Sequence, residues 1–596
     1  MPYSRLAAGA SDDMPTTPES RIVIYLLINM KLFCFAAVLL LSQACAYAQP
    51  AFPGAEGFGA GASGGRGGRV VYVTNLNISG PGSLQEALDL NEPRYILFKV
   101  SGVIQGTVSV PPGRGNFTIA GQTSPGGIVV RGLEMYNGSQ ASVSNIIIRH
   151  IRSRIGDRNL FPTSNWLADD GITLGGVHNA IIDHCSFAHA GDEAVDISRS
   201  SRLTIQNCLL AETLGGHAYL GGMLINYSDA ASRLDSLSIH HNIWNRIGGR
   251  MPEISCETPY CAGKTIRLEL SNNLFWDPQI ELWYEGVTGF NSNFYLRMNA
   301  VSNLSVARPS YGNGMFHHDL LHFSQNSLYF SGNKLSLYPQ LADFELFYCC
   351  NDFPTSYPNT DLGQADRPIS LHPFPTVTYH TVSELPVYLA SHAGAFPRDA
   401  MDTRLNGYIL NNNLIDLPVE EAGASDAFVL NNALPPFADS DNDGMPDYWE
   451  FSHGTNPAVQ DHNGTGLSQS ITGVSGYTNL ECYLNCLSDA LIAGSSTPAC
   501  GIQAFTTSAG ETENTSVAVS IYPNPAEGAV FIRQTDPGPA EVTVYTIQGN
   551  LLLKHLVDTK TGRLDTAHLP SGCYFLEIRD LRGILPVSVH RLFIMR

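Results

Sequence analysis

The sequence predicts an all-β chain. A parallel β-helix fills residues 49–430, a small loop-based module 434–490, a linker 491–515 and a C-terminal β-sandwich 516–596. Three observations predict it. First, short β-branched runs recur between about residues 70 and 335, each closed by Asn or His: Ile146-Ile147-Ile148-Arg149-His150, Ala180-Ile181-Ile182-Asp183-His184, Leu203-Thr204-Ile205-Gln206-Asn207, Leu237-Ser238-Ile239-His240-His241 and Leu268-Glu269-Leu270-Ser271-Asn272. Setting the last residues of these runs in register gives offsets of 34, 23, 34 and 31. A fixed strand and corner with insertions of variable length describes a solenoid, because one coil cannot bury its apolar face alone. Second, charged residues are only 15% while Gly and Pro number 56 and 35, which excludes a coiled coil or a long helical array. Third, strict alternation and Asn-Gly hairpins are scarce over the repeats, against an ordinary antiparallel sandwich there.

Taken in order, residues 1–48 read as an N-terminal extension plus a secretion signal, with the start at Met30. Lys31 supplies the charge, Leu32–Leu41 the apolar core and Ala46-Tyr47-Ala48 the small-residue cleavage pattern. Asn29 and Lys31 interrupt Ile22–Leu41 as a membrane span, and no later stretch is long and apolar enough to be one. Removing the signal takes away Cys34 and Cys45, leaving ten of 12 cysteines for an oxidising compartment. Cys256 with Cys261, and Cys482 with Cys486 or Cys500, are close enough to pair, and the connectivity stays open. Coils about 4.8 Å apart stack like upon like, so Cys185 is expected over Cys208 and the Asn/His corners over one another. Acidic residues outnumber basic ones 54 to 34, a net charge of −20. Such a surface repels a phosphate backbone, so nucleic acid is not an expected partner, and an anionic substrate would need local cations or a metal.

Three motifs carry chemistry. Asp169-Asp170-Gly171 and Asp192-Glu193-Ala194-Val195-Asp196 are acidic. On successive coils such carboxylates project from one face and converge where a hard cation needs oxygen ligands, although solvated turn acids remain the plain alternative. Asn245-Arg246-Ile247-Gly248-Gly249-Arg250-Met251-Pro252-Glu253 is basic and by spacing alone weak evidence, since most surface arginines are solvated or pair with an acid. The third motif is the clearest. Asp439, Asp441, Asp443, Asp447 and Glu450 stand at positions 1, 3, 5, 9 and 12, with Gly444 at 6 and the Met445 carbonyl at 7, the pattern of an EF-hand calcium loop. Pro435-Pro436 argues against an entering helix, so the loop looks like the isolated calcium loops of dockerin-like or thrombospondin type 3-like modules. Asp461-x-Asn463 with Tyr477–Glu481 is a candidate second, degenerate site, and both would be structural.

Several segments together resemble secreted pectate lyases of polysaccharide lyase family 1. They are Phe52-Pro53-Gly54-Ala55-Glu56-Gly57-Phe58-Gly59, Ile182–Phe187, the Asp192–Asp196 pair, Arg250-Met251-Pro252, and Ala393-Gly394-Ala395 with Pro397-Arg398-Asp399 and Asp402-Thr403-Arg404. The resemblance covers about 50–425 and is patchy between 280 and 380. It implies a right-handed parallel β-helix that cleaves polygalacturonate, the pectin backbone, by calcium-assisted β-elimination. By that likeness Asp170, Asp192 and Asp196 would hold Ca²⁺, and Arg250 matches the arginine proposed to take the C5 proton. Arginine normally stays charged, so Arg250 as an electrostatic clamp stays open beside that role. His217 stands where the better-known members carry lysine, and Ser255 where they carry a second arginine. His217 is therefore a candidate for binding the substrate carboxylate or moving a proton, Arg246 is a second candidate substrate contact, and His184, His240 and His241 read as ladder or core residues.

The C-terminal segment resembles sorting domains of the type IX secretion system of Bacteroidetes, through Ile521-Tyr522-Pro523-Asn524-Pro525, Val544-Tyr545 and Leu569-Pro570-Ser571-Gly572-Cys573-Tyr574. The expected partners are thus an acidic polysaccharide and the secretion machinery, the expected location is outside the cell or on its surface, and the expected state is a monomer. Two other readings stay open: a polygalacturonase-like hydrolase using Asp183, Asp192, Glu193 or Asp196 as acid and base, and a non-catalytic glycan-binding solenoid.

Overall fold

The computed structural model describes residues 49–136, 142–156, 170–213, 221–227, 233–256, 258–284, 293–348, 353–354, 364–414, 426–431 and 436–495, and residues 519–594 apart from 523–525, 527, 535–537, 547–550, 561, 571 and 583–587. The secretion signal and the linker expected at 491–515 fall wholly or largely outside them.

Between Arg69–Val73 and Lys334–Leu335 the chain visits three parallel sheets in rotation. Ile172–Gly175, Val177–Asp183 and Ser186–Ala188 make one coil, and each pairs in parallel with its counterpart in the next: Val195–Ser198, Ser201–Gln206 and Leu209–Ala211. Among the described residues the sheets hold ten, nine and seven strands, each ordered by coil. This is the predicted parallel β-helix, and it is held from inside. In Val195–Ser198 the alternate residues Val195 and Ile197 are fully buried in a core that also takes Ile172, Leu174, Ile182, Ile205 and Ile239. Period-two alternation then turns Asp196 outward.

The corner between the ten- and nine-stranded sheets shows why Asn and His recur. His150, His184, Asn207, His241 and Asn272 all take φ between 50° and 56°, the left-handed region in which Asn, Asp and His are over-represented. The residues that follow them stack as an internal ladder. Asn242, Asn273 and Asn303 each donate Nδ2–H to the next Oδ1, at 3.1, 3.1 and 2.9 Å, ending on Asn333. Cys185 and Cys208 fill the same rungs earlier: the Cys185 N–H lies 3.4 Å from the Cys208 sulfur, and the Cys208 N–H donates to Asn242 Oδ1. Each rung satisfies buried backbone that no water reaches. Cys256 and Cys261 form a disulfide. Of the two partners open to Cys482, Cys486 is not used, since both are free thiols on one face of the helix Asn479–Ile492, and Cys500 lies outside the described residues.

The segment that closes the β-helix is pinned by a buried ionic quartet. Arg152 and Arg154, on one strand of the nine-stranded sheet, meet Asp399 and Asp402 at the start of the helix Ala400–Leu410, with separations of 2.6–3.2 Å and all four side chains at most 1% exposed. The 436–495 segment packs on the ten-stranded sheet. Met445, Trp449, Tyr477 and Leu480 share a core with Tyr95, Leu97 and Ala120, and Arg66 pairs with Glu481 at 2.9 Å. The C-terminal region is antiparallel, with a three-stranded sheet (Val519–Tyr522, Ala529–Gln534, Gly562–Asp565) and a four-stranded one (Pro539–Thr546, Leu551–Asp558, Gly572–Asp580, Ser588–Ile594) enclosing Val530, Val542, Val544, Leu576 and Leu592. No helix among the described residues is long and apolar enough to cross a membrane.

Candidate active site

The outer face of the seven-stranded sheet gathers the acidic residues. Register places Glu134, Thr173, Asp196, Leu224 and Glu253 in one row across five coils. Asp170 lies just before its strand and is fixed to the neighbouring coil: it accepts from Thr173 Oγ1 at 2.7 Å and from the Glu193 N–H at 3.2 Å. As a result Asp170, Glu193 and Asp196 each place a carboxylate oxygen within 4.8 Å of the others. Arg250 reaches the cluster from the next turn but one, with φ 49°. Its Nε donates to Glu253 at 3.1 Å, its Nη1 donates to Glu193, and Nη1 stands 3.7 Å from Asp192. Gly221 makes that approach possible: a Cβ there would lie 2.7 Å from the Arg250 Cβ and 2.9 Å from the Glu193 Cγ.

The structure therefore brings together Asp170, Asp196 and Arg250. Asp192 stands at the edge of the cluster, and Glu193 takes its place in the convergent set. The sequence shows an Asp-Glu pair, and only the strand register decides which of the two faces inward to the cluster. Oδ1 of Asp192 is buried with no hydrogen-bond partner. A buried carboxylate oxygen that accepts no hydrogen bond and meets only the Arg250 charge at 3.7 Å, beside three convergent ones, is a donor set that suits a hard cation of the calcium class. His217 lies outside the described residues. Ser255, where a second arginine was looked for, is 3% exposed, one strand position pair beyond Glu253.

Arg246 is corrected as a substrate contact. It follows the strand Ile243–Asn245 of the nine-stranded sheet, is 3% exposed, and gives Nη1 to Glu212 at 3.2 Å. Arg404 holds the same carboxylate at 2.9 Å; burial pushes Glu212 up, but the hydrogen bonds from His189 and Arg404 outweigh it and hold the group down at about 2. Arg246 thus braces the loop that delivers Arg250. His184 and His240 are buried at the corner as expected, His184 stacked on His150 and paired with Asp183. The same pairing, with Arg149 at 2.8 Å, holds Asp183 well below the ordinary carboxylate range, so it is unavailable as a cleft acid.

The second oxygen cluster is the 439–461 loop. Asp439, Asp441 and Asp443 converge, and so do Asp443, Glu450 and Asp461. Asp461, assigned by spacing to a separate degenerate site, belongs here, tied by its N–H to Asp443 Oδ2 at 3.0 Å. The separate site does not form, because Asn463 donates to the Gly68 carbonyl and Glu481 pairs with Arg66. Asp447 is also corrected. Its two oxygens accept the N–H and O–H of Ser440, each at 2.7 Å, and Asp461 supplies a carboxylate instead. Met445 buries its side chain in the module core, which leaves its backbone on the loop. Burial and mutual repulsion push Glu450 up to about 8 and Asp441 up to about 6. Glu450 Oε2 and Asp441 Oδ2 are buried without hydrogen-bond partners, as an oxygen cage for a cation would leave them.

The chain is 31% identical over 456 residues to the probable pectate lyase C of Aspergillus fumigatus, an alignment spanning 73% of this chain and 93% of that one. It is 30% identical over 457 residues to the protein of that name from Aspergillus flavus, and 28% identical over 222 residues to pectate lyase 1 of Cryptomeria japonica. Among solved structures, jun a 1, the major allergen from cedar pollen, aligns at 18% identity and a TM-score of 0.31 over 57% of this chain and 92% of its own. Residues 520–586 match the secretion system C-terminal sorting domain. With a relative at that identity covered almost end to end, the chain belongs to the pectate lyases of polysaccharide lyase family 1 and carries a secretion sorting domain at its C-terminus.

Proposed function

We propose that this pectate lyase is exported and cleaves polygalacturonate by calcium-assisted β-elimination on the outer face of the seven-stranded sheet. The observation that carries the reading is the convergence of Asp170, Glu193 and Asp196, with an Asp192 oxygen that accepts no hydrogen bond beside them and Arg250 against them. These four carboxylates would hold calcium, which supplies neutralisation of the uronate C6 carboxylate and so makes the C5 proton more acidic.

The chain's own residues do the rest. Glu253 and Glu193 hold the Arg250 guanidinium from two directions, which fixes the plane it presents to the substrate. In the elimination the C5–H bond breaks, its electron pair forms the C4=C5 double bond, the C4–O bond breaks, and the departing oxygen takes a proton. Arg250 acts on the C5 side, either accepting that proton itself or holding the developing negative charge while water accepts it. A kcat that rises through an enzyme pKa identifies the first role, and a flat profile the second. His217 is retained as a candidate contact to a substrate carboxylate.

Hydrolysis on this fold is less well supported. Of the carboxylates a hydrolase would use, Asp183 is buried and paired with Arg149 and His184, and Glu193 is held by Arg250. The test is ultraviolet absorbance of the conjugated unsaturated uronate formed from polygalacturonate, with calcium and with EDTA. Absorbance that rises with calcium and stops with EDTA is expected. New reducing ends without absorbance would mean hydrolysis, and neither signal would mean a binding protein.

A further inference from the structure

A second cluster of metal-ligating side chains lies away from both carboxylate sites, and nitrogen dominates it. The short strand Phe316–His317 extends the line of the seven-stranded sheet: Phe316 bridges Leu282, and the His317 N–H donates to the Leu282 carbonyl at 2.9 Å. Phe316 faces the core at 1% exposure, which sends His317 to the opposite face. A single 3-10 turn, His318–Leu321, follows. Leu320 and Leu321 are fully buried, so His318 and Asp319 are turned away from the core together with His322, which caps the turn.

The outcome is convergence on one carboxylate. Asp319 Oδ1 lies 3.2 Å from His318 Nε2 and 3.1 Å from His322 Nδ1, and Asp319 Oδ2 lies 3.9 Å from His317 Nδ1. The imidazole centroids are 4.5 Å (His317–His318) and 4.7 Å (His318–His322) apart. Exposure rises across the group, from 8% at His317 to 14% at His318, 32% at Asp319 and 42% at His322, so it opens to solvent on one side. Through Leu224, Glu253 and Trp283 the sheet leads from Asp196 to this strand in four coil steps, about 19 Å at the spacing of neighbouring strands.

We infer that His317, His318, His322 and Asp319 form a binding site for a borderline transition-metal ion of the zinc class, separate from the calcium-type oxygen clusters. Three imidazoles and one carboxylate match the donor set and number that zinc takes, whereas oxygen-only clusters favour calcium. All four donors come from six consecutive residues seated on a buried Phe and two buried Leu, so the fold, not the metal, sets most of their arrangement. The inference stands independently of the reaction assigned to the cleft.

The probe is Co²⁺ added to the full chain in buffer with excess Ca²⁺, followed by its visible absorption bands and displaced by Zn²⁺. One equivalent of Co²⁺ should bind with the intense bands of a nitrogen-rich, low-coordinate site, and Zn²⁺ should bleach them while Ca²⁺ does not. His318→Ala should abolish the bands. His322→Asn, at the exposed edge where folding is not at stake, should weaken binding at least about tenfold. His555→Ala, on an exposed strand of the C-terminal region, should change nothing. Weak featureless absorbance, bands removed by Ca²⁺, or affinity unchanged in His322→Asn and His318→Ala would overturn the site and leave a histidine–aspartate surface network.

Discussion

Replacing Arg250 by lysine keeps a positive charge at the cleft and removes its geometry. The guanidinium reaches Glu253 through Nε at 3.1 Å and Glu193 through Nη1, two directions from one rigid plane. A lysine ammonium on a flexible stem can meet one of those carboxylates but cannot also keep the plane turned to C5. Losing a preorganised donor aimed at developing charge costs about 2.7–4 kcal/mol, or 10²–10³-fold in kcat. The ground state should notice much less. The Arg250 side chain is 15% exposed and its partner Glu193 3%, and a lysine at 250 keeps a positive charge able to meet that carboxylate, so no unpaired buried charge is left behind. The assay is initial rates of unsaturated-product formation at saturating calcium, with the circular dichroism spectrum and melting temperature as controls. Arg250→Lys should lose kcat by two to three orders of magnitude at near-unchanged KM and stability. A kcat within about threefold of the parent would refute the role given to this residue.

Other perturbations follow from the same geometry. Asp196→Ala should raise the calcium needed for half-maximal turnover by at least about 10–100-fold at unchanged melting temperature, measured by calcium titration; an unchanged requirement would remove Asp196 from the metal site. Asp402→Ala leaves Arg152 and Arg154, both at 0% exposure, to share Asp399 alone and should cost about 3–5 kcal/mol in denaturant unfolding, with Asp402→Asn costing less. In the 439–461 loop, Glu450 sits at about 8 against an ordinary 4.5 when metal-free, so its protonated form stabilises the fold. That contribution is complete below about pH 4.5 and is lost as pH rises through about 8, so EDTA-treated protein should melt lower at pH 8.5 than at pH 5.5. Calcium binding should tighten over the same interval and release protons, measurable by calorimetry in two buffers. His217→Lys should extend tight substrate binding to higher pH if a protonated imidazole holds the carboxylate, and a pH profile of KM unchanged by His217→Lys and His217→Ala would remove the residue from the site.

Much of the β-helix is legible in the sequence because its signals are local and repeat. A left-handed corner selects Asn or His, an inward strand position selects Ile, Val or Leu, and both recur coil after coil. The Asp-rich loop is legible for the same reason, with most of its ligands within twelve residues. What sequence could not decide was side-chain direction across coils. Asp192 and Glu193 are adjacent, and only the register of Val195–Ser198 against its neighbours places Glu193 beside Asp170. Arg246 and Arg250 are four apart in one motif, yet one follows a strand of the nine-stranded sheet and faces Glu212, while the other precedes a strand of the seven-stranded sheet and faces Glu193. Asp461 and Asp447 exchange roles because the loop folds back on itself eighteen residues after Asp443, a closure invisible to a twelve-residue pattern. The histidine cluster carries no sequence motif: only the buried Phe316, Leu320 and Leu321 fix the direction of His317 and His318.

The central claim is elimination, and the most direct measurement is cleavage of polygalacturonate in water enriched in the heavy oxygen isotope, with products read by mass spectrometry. Elimination adds no water, so the account predicts calcium-dependent unsaturated ends, each lighter by one water than a hydrolytic end and free of heavy oxygen from the cleavage step. Saturated non-reducing ends that have lost no water, with solvent oxygen added at C1 of the new reducing end and formed equally well in EDTA, would contradict it.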